Sequence, residues 1–360
     1  MKKQILFVAL LMLSSLLFAQ QWGLSATGGY TLPNKSEWDY IGGPNYGVDV
    51  SVRWRTSGEE TWQRLWRRPS FGLRANFAYI PDGIAGNRIG IAGFMTNPLW
   101  NDHGKGSLAW ELDFGLSGYT LPYRVSHNEQ NYFIGSYLNC LIHAGLEYKQ
   151  PFRDGSAIVL AAKLVHSSNG YILKPNQGLN FLQVDMGYLL PASSQMVVSP
   201  QPVVDLKPGH PLYLSLSYAG GLVQARYSGP AKNYYYCHTA EAALMWRAAE
   251  RVALGGGVDY SYNYSQLELQ RWWNDDYTYP FYLCYFGSIE PYWGNMSVRI
   301  SAGGYLLKSQ NPHVVSLPFF ERVGLYYHFP KNIFGGVSLR AYAAHIDFIE
   351  FTLGYKIPLL

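Results

Sequence analysis

The chain is short of charge. Asp, Glu, Lys and Arg make up 14% of its 360 residues, against about 25% in typical soluble domains. That is a poor covering for a soluble enzyme of this size. Beyond the N-terminus it also lacks any apolar run near the roughly 18 residues that a spanning helix needs, which excludes helical membrane spans. Cysteine is scarce: Cys140, Cys237 and Cys284 permit at most one disulfide, and an odd number argues against a disulfide framework. No Cys-x-x-Cys pair and no His/Cys cluster at ligand spacing occurs, so neither a metal nor another cofactor is expected. The formal net charge is +4, with Lys2 and Lys3 contributing to it. A balance so near zero argues against nucleic acid as a partner.

What is abundant is aromatic and small. Aromatic residues make up 16% of the chain, with 30 Tyr and 11 Trp, beside 37 Gly. Tyr and Trp favour membrane–water interfaces, where one end of the ring is wet and the other apolar. Glycine suits the turns and bends of a closed sheet. The N-terminus reads as an export signal covering residues 1–19. Lys2 and Lys3 form its positive start, Ile5 to Leu17 is nearly all apolar, and Leu17-Phe18-Ala19 ends on a small residue before Gln20.

The strongest pattern is alternation with period two, the mark of a strand with one apolar and one polar face. Trp110, Leu112, Phe114 and Leu116 oppose Glu111, Asp113 and Ser117. Ile134, Leu138, Cys140, Ile142, Ala144 and Leu146 oppose Tyr137, Asn139, His143, Glu147 and Lys149. Val298 and Ile300 oppose Arg299 and Ser301; Val337, Leu339, Ala341 and Ala343 oppose Ser338 and Arg340; Phe351, Leu353 and Tyr355 oppose Glu350, Thr352 and Lys356. The polar parity is mostly small and sparsely charged, which suits a barrel interior where polar groups pair with each other, while the apolar parity faces lipid. The expected fold is therefore all-β: a transmembrane antiparallel β-barrel of roughly 12–16 strands, formed by residues 20–360 as one domain.

One segment stands apart, Val165-His166-Ser167-Ser168-Asn169-Gly170 followed by Pro175-Asn176-Gln177-Gly178-Leu179-Asn180. His166 and Ser168, two apart on a strand, project from one face, so the imidazole is placed to take the hydroxyl proton and activate the serine. Asn169 and the Gly170 N–H are candidate donors to the oxyanion of a tetrahedral intermediate. The pair continues the apolar parity of Ile158, Leu160, Ala162 and Leu164, and Asn180 shares that face through Leu182, Val184, Met186 and Tyr188. Lys163, Asp185 and His143 lie on the opposite parity and read as a polar network inside the barrel. A reactive group on the outer wall points to a lipid substrate.

His166-x-Ser168-Asn169, then Pro175-Asn176-x-Gly178, then Asn180, resembles the motif of the PagL-like lipid A 3-O-deacylases, also called acyloxyacyl hydrolases. Elsewhere the resemblance is looser, resting on the strand rhythm and on Ile134-Gly135-Ser136 with Asn139. The resemblance implies an outer-membrane serine esterase of a Gram-negative cell. Its substrate is lipid A of lipopolysaccharide, from which it removes an ester-linked acyl chain. It makes Ser168 the nucleophile, His166 the base, Asn180 the residue that orients His166, and Asn169 an oxyanion donor, with Gly170 and Asn176 in support. The chain departs from the family in being far longer than the eight-stranded minimal members, and in carrying Asn180 where the family has a glutamate. An asparagine still accepts a bond from the imidazole N–H but supplies no charge to stabilise the imidazolium. The alternative reading is a non-catalytic barrel, a porin-like channel or a structural or adhesin barrel, with a decayed site.

A second stretch, residues 53–68, interleaves Arg53, Arg55, Arg64, Arg67 and Arg68 with Trp54, Trp62 and Trp66. It fits either a grip on lipid phosphates or a solvated loop with an interfacial aromatic anchor. Strand counting places it on the periplasmic side.

Overall fold

The computed structural model describes residues 20–33, 36–81, 83–100, 106–193, 211–224, 233–273, 280–308, 318–342 and 345–359. The export signal expected over residues 1–19 lies outside them, as does Ala343.

Sixteen strands are present among the described residues. β1 (Gln20–Leu32), β2 (Gly43–Arg55), β3 (Ser70–Tyr79), β4 (Arg88–Pro98), β5 (Ser107–Tyr119), β6 (Leu138–Pro151), β7 (Ala157–Ser168) and β8 (Leu179–Leu189) come first. β9 (Leu212–Gln224), β10 (Tyr234–Ala249), β11 (Val252–Asn263), β12 (Phe281–Trp293), β13 (Met296–Leu307), β14 (Phe319–His328), β15 (Ile333–Tyr342) and β16 (His345–Pro358) follow. Among the described residues two short α-helices, α1 (Thr61–Leu65) and α2 (Ser265–Trp273), and one 3-10 helix (Ser36–Ile41) interrupt them. No described helix is long and apolar enough to cross a membrane.

The strands do not close as one barrel. β8 returns to β1, with Thr27 opposite Asp185, and closes the first eight. β16 returns to β9, with Leu353 opposite Tyr218, and closes the second eight. Within each barrel every strand pairs antiparallel with its sequence neighbours. By its contacts the chain forms two compact units, Met1–Ser168 with Gln177–Val203, and Asn169–Asn176 with Val204–Leu360. The single closure expected from the strand rhythm is thus corrected to two. Alternation fixes which face of a strand is apolar but carries no information about which distant edge it meets.

The alternation itself is reproduced side chain by side chain. Leu112, Phe114 and Leu116 are exposed while Glu111, Asp113 and Ser117 are buried. The same holds for Phe351, Leu353 and Tyr355 against Glu350 and Thr352. Exposed apolar side chains run around both outer walls, among them Leu24, Ile89, Leu164 and Met186 on the first and Leu254, Ile300 and Phe351 on the second. A soluble protein rarely leaves so much contiguous apolar surface bare; a lipid-facing wall requires it. One run begins later than its pattern. β6 starts at Leu138, and Ile134 is fully buried in the preceding loop, in a cluster with Phe133, Leu141, Val165 and Leu179.

Both interiors are filled, as eight strands leave room only for side chains. In the first barrel Arg74 bonds Glu111 at 2.7 Å and also Asp113. Lys163 bridges Glu111 and Asp185, each at 2.6 Å, and His143 meets Asp113 at 2.9 Å. In the second, Arg299 joins Glu241 at 2.8 Å and Glu290 at 3.0 Å, while Arg322 and Arg340 share Asp259. Lys163, Asp185 and His143 therefore belong to the interior network expected of them. Removing one member leaves its partners buried and uncompensated. Arg74→Ala should lower the unfolding free energy by about 3–5 kcal/mol, read as a shift in the guanidinium midpoint, whereas Leu164→Ala on the outer wall should cost far less.

Candidate active site

β7 and β8 place the site. Along β7, Ile158, Leu160 and Leu164 are exposed and Val159, Lys163 and Val165 buried, so His166 and Ser168 continue the outward parity. Asn180, at the start of β8, is the register partner of His166. On the other side Cys140 is the partner of Ser168. Ser167, between the pair, points inward and accepts a hydrogen bond from Ser117.

The imidazole is held at one nitrogen and open at the other. His166 Nδ1 lies 2.7 Å from Asn180 Oδ1. The amide oxygen only accepts, so Nδ1 carries the proton and donates it. That leaves the lone pair on Nε2, which is buried and has no hydrogen-bond partner among the described residues. This is the tautomer a general base needs. Ser168 is 3% exposed and its Oγ does not bond Nε2 here. Residues two apart on a strand have Cα atoms about 6.5 Å apart, a span that an imidazole and a serine hydroxyl close by rotation about their side-chain bonds.

Gly178 sets the ring's position from the other edge. Its φ is +73°, and a Cβ there would lie 2.7 Å from His166 Cε1 and 3.3 Å from Nε2. Only glycine combines that backbone with that clearance. Its N–H donates to the Phe133 carbonyl at 3.0 Å, and the Gln177 N–H donates to Tyr132 at 3.1 Å. The β5–β6 loop carrying Tyr132 and Phe133 is organised by Asn131, which is fully buried. Its Nδ2 donates to Leu121 at 2.7 Å, and its Oδ1 accepts from Phe133 and Ile134. Neither Asn131 nor the part Gly178 plays in placing the ring stands out in the sequence. A lone asparagine in a loop carries no signal of the backbone groups it joins. Gly178→Ala should displace the imidazole and cut turnover by at least tenfold, with a folding cost near 1–2 kcal/mol from the left-handed backbone. Ester-hydrolysis rates and melting of the purified barrel separate the two effects.

Asn169, Gly170 and Asn176 lie on the segment that belongs with the second unit. The Asn169 N–H donates to Asn176 Oδ1 at 3.1 Å, and its side-chain Nδ2 donates to the Leu173 carbonyl at 2.8 Å. The two asparagines thus close the loop on itself. Gly170 has φ +61°, again the left-handed region that glycine enters freely. Glu350 is buried inside the second barrel, where it bonds Arg322 and Ser338. The Arg/Trp stretch connects β2 to β3, at the end of the first barrel opposite Ser168.

The class is that of closed eight-stranded β-barrels, here with a histidine held by an amide two residues before a serine on the outward parity of one strand. Residues 46–189 match the family model described as lipid A 3-O-deacylase (PagL), and residues 212–359 match that described as acyloxyacyl hydrolase, C-terminal domain. The chain belongs to this family of acyl hydrolases. Among curated proteins no match is found. A solved structure described as the outer membrane enzyme PagL is 19% identical, over 47% of this chain and 99% of that one, with a TM-score of 0.32. A mutant porin of Rh. blastica is 10% identical over 94% and 99%, with a TM-score of 0.20. The toluene transporter TodX of Pseudomonas putida is 8% identical over 95% and 90%, with a TM-score of 0.18. These scores are too low to bear on the site.

Proposed function

We propose that the chain is an outer-membrane serine esterase that removes an ester-linked acyl chain from lipid A, with Ser168 as nucleophile and His166 as base. The observation that carries this reading is the orientation of His166. Asn180 fixes the proton on Nδ1, and the free Nε2 stands two residues from Ser168 on a wall lined with exposed Leu160, Leu164 and Leu182. Ser168 Oγ attacks the ester carbonyl as its proton passes to Nε2. The tetrahedral intermediate collapses, the imidazolium returns the proton to the departing sugar oxygen, and an acyl-serine remains. Water, deprotonated by the same nitrogen, then attacks the acyl-serine, and Ser168 Oγ departs with the proton returned from Nε2 as the fatty acid is released. Asn169 and Gly170, with Asn176 in support, are the proposed source of donors to the oxyanion. The substrate is a lipid because the pair continues a lipid-facing parity, and the membrane is the outer one because β-barrels of this kind reside there.

Mass spectrometry of lipid A from Gram-negative cells with and without the chain tests the reading. The loss of one acyl chain on expression is expected; identical spectra would leave a non-catalytic barrel. Asn180 in place of an acid is the feature that favours that second reading. The porin-like version of it is opposed by interiors packed with Arg74, Lys163, Arg299 and Arg340.

A further inference from the structure

We propose that Gln224, at the end of β9 in the second barrel, is a positioning residue for the esterase and clamps the loop that carries the oxyanion donors. The inference rests on the serine-esterase reading, which places those donors on Asn169 and Gly170, directly after the nucleophile. Asn169–Asn176 form one compact unit with Val204–Leu360, apart from the strand that precedes them. Gln224 holds this segment at two points. Its side-chain Oε1 accepts from the Lys174 N–H at 2.9 Å, and its own backbone N–H donates to the Tyr171 carbonyl at 3.2 Å.

Two breaks in parity mark where the segment lies. On β9, Leu216, Tyr218 and Leu222 face outward and are exposed; Gln224 has the same parity and is only 4% exposed. On β16, Phe351, Leu353 and Tyr355 are exposed, while Ile349, again of the outward parity, is buried. Gly170 covers it: a Cβ on that glycine would lie 2.4 Å from both Ile349 Cδ1 and Cγ1.

The clamp acts on a stretch that does not hold its own shape. Gly170 and Tyr171 have φ of +61° and +63°. Glycine enters that region freely, whereas tyrosine stays there only where its surroundings hold it. The bonds from the Gln224 N–H to Tyr171 and from the Lys174 N–H to Oε1 supply that hold. Gln224 Nε2 is buried and has no hydrogen-bond partner among the described residues. An unpaired buried amide end costs free energy that an apolar residue at this position would spare, so what the glutamine contributes is its acceptor. With the segment fixed, the donors of Asn169 and Gly170 need no rearrangement as the oxyanion forms.

The test compares the full chain, purified in detergent, with Gln224→Met, which keeps the length but loses the acceptor, and Gln224→Glu, which keeps an acceptor oxygen. Hydrolysis of a short-chain p-nitrophenyl ester and hydrogen–deuterium exchange over residues 169–176 are read in parallel. Gln224→Met should lower kcat by about 10², the cost of misplacing a catalytic group by about an ångström. KM and the melting temperature should stay near the parent's, and the Lys174 amide should exchange faster. Gln224→Glu should recover most of kcat and the slow exchange, a rescue that a space-filling role would not produce. Should Gln224→Met fail to fold, Ile349→Ala, which removes the support under Gly170, should likewise lower kcat and speed exchange of the segment. A parent chain that cleaves no ester defeats the esterase reading, and the catalytic purpose of the clamp with it. Equal exchange and equal kcat in an active parent and Gln224→Met overturn the clamp alone, as does a Gln224→Glu chain as slow as Gln224→Met.

Discussion

Ser168→Ala should leave a folded, membrane-inserted barrel that no longer removes an acyl chain from lipid A. In serine hydrolases, losing either the nucleophile or its base costs on the order of 10⁶ in turnover, so product should fall below detection by mass spectrometry. His166→Ala should do the same, because an unactivated serine hydroxyl is left behind. The fold is insulated from both changes. Ser168 and His166 sit on the outward parity at the end of β7, and the interior ion pairs of Lys163, Glu111 and Asp185 do not involve them. Barrel integrity, read as heat-modifiable migration on a gel, should therefore match the parent. Wild-type product from either variant would remove the pair from the mechanism.

Much of this arrangement was legible in the sequence because it depends on parity, and parity is local. The alternation from Ile158 to Ser168 and from Asn180 to Tyr188 assigns each side chain to a face, and burial follows it along both strands as far as His166 on β7, while Ser168 is buried although it stands on the outward parity. The pairing of His166 with Asn180 follows from the length of the intervening loop once the strands are antiparallel neighbours. What was not legible is closure. Whether β8 meets β1 or β9 depends on edges some 160 residues apart in sequence, and no period-two pattern encodes it. A weaker cue was present in Pro191, Pro200, Pro202, Pro208 and Pro211, a cluster between the two sets of strands; proline withholds the N–H that a ladder needs. With two closures, the length that set this chain apart from eight-stranded relatives is accounted for. The first barrel alone has eight strands and carries Ser168, His166 and Asn180, and the second is matched by a family model of its own.

Asn180 is where the largest remaining effect lies. Replacing the acid of a serine protease triad by its amide costs about 10⁴, mainly because the amide stabilises the wrong imidazole tautomer. Here the amide presents Oδ1, not its nitrogen, to His166 Nδ1 at 2.7 Å, so the tautomer is right and only the charge is missing. Asn180→Ala removes the acceptor altogether. The ring then loses both its orientation and the bond that keeps the Nε2 lone pair free, and turnover should fall by roughly 10² to 10⁴ while insertion is unaffected. Asn180→Asp keeps the length and places a carboxylate oxygen where Oδ1 now sits. It should hold or raise the rate, since a negative charge stabilises the imidazolium that forms as Ser168 attacks. Asn180→Glu restores the family's residue but adds a methylene to a contact already at hydrogen-bond distance, so it should recover less than aspartate unless β8 shifts. The order Asp, then Glu, then Ala in ester-hydrolysis rate is the expected result. Equal rates for all three would make Asn180 a bystander and leave His166 oriented by packing against Gly178 alone.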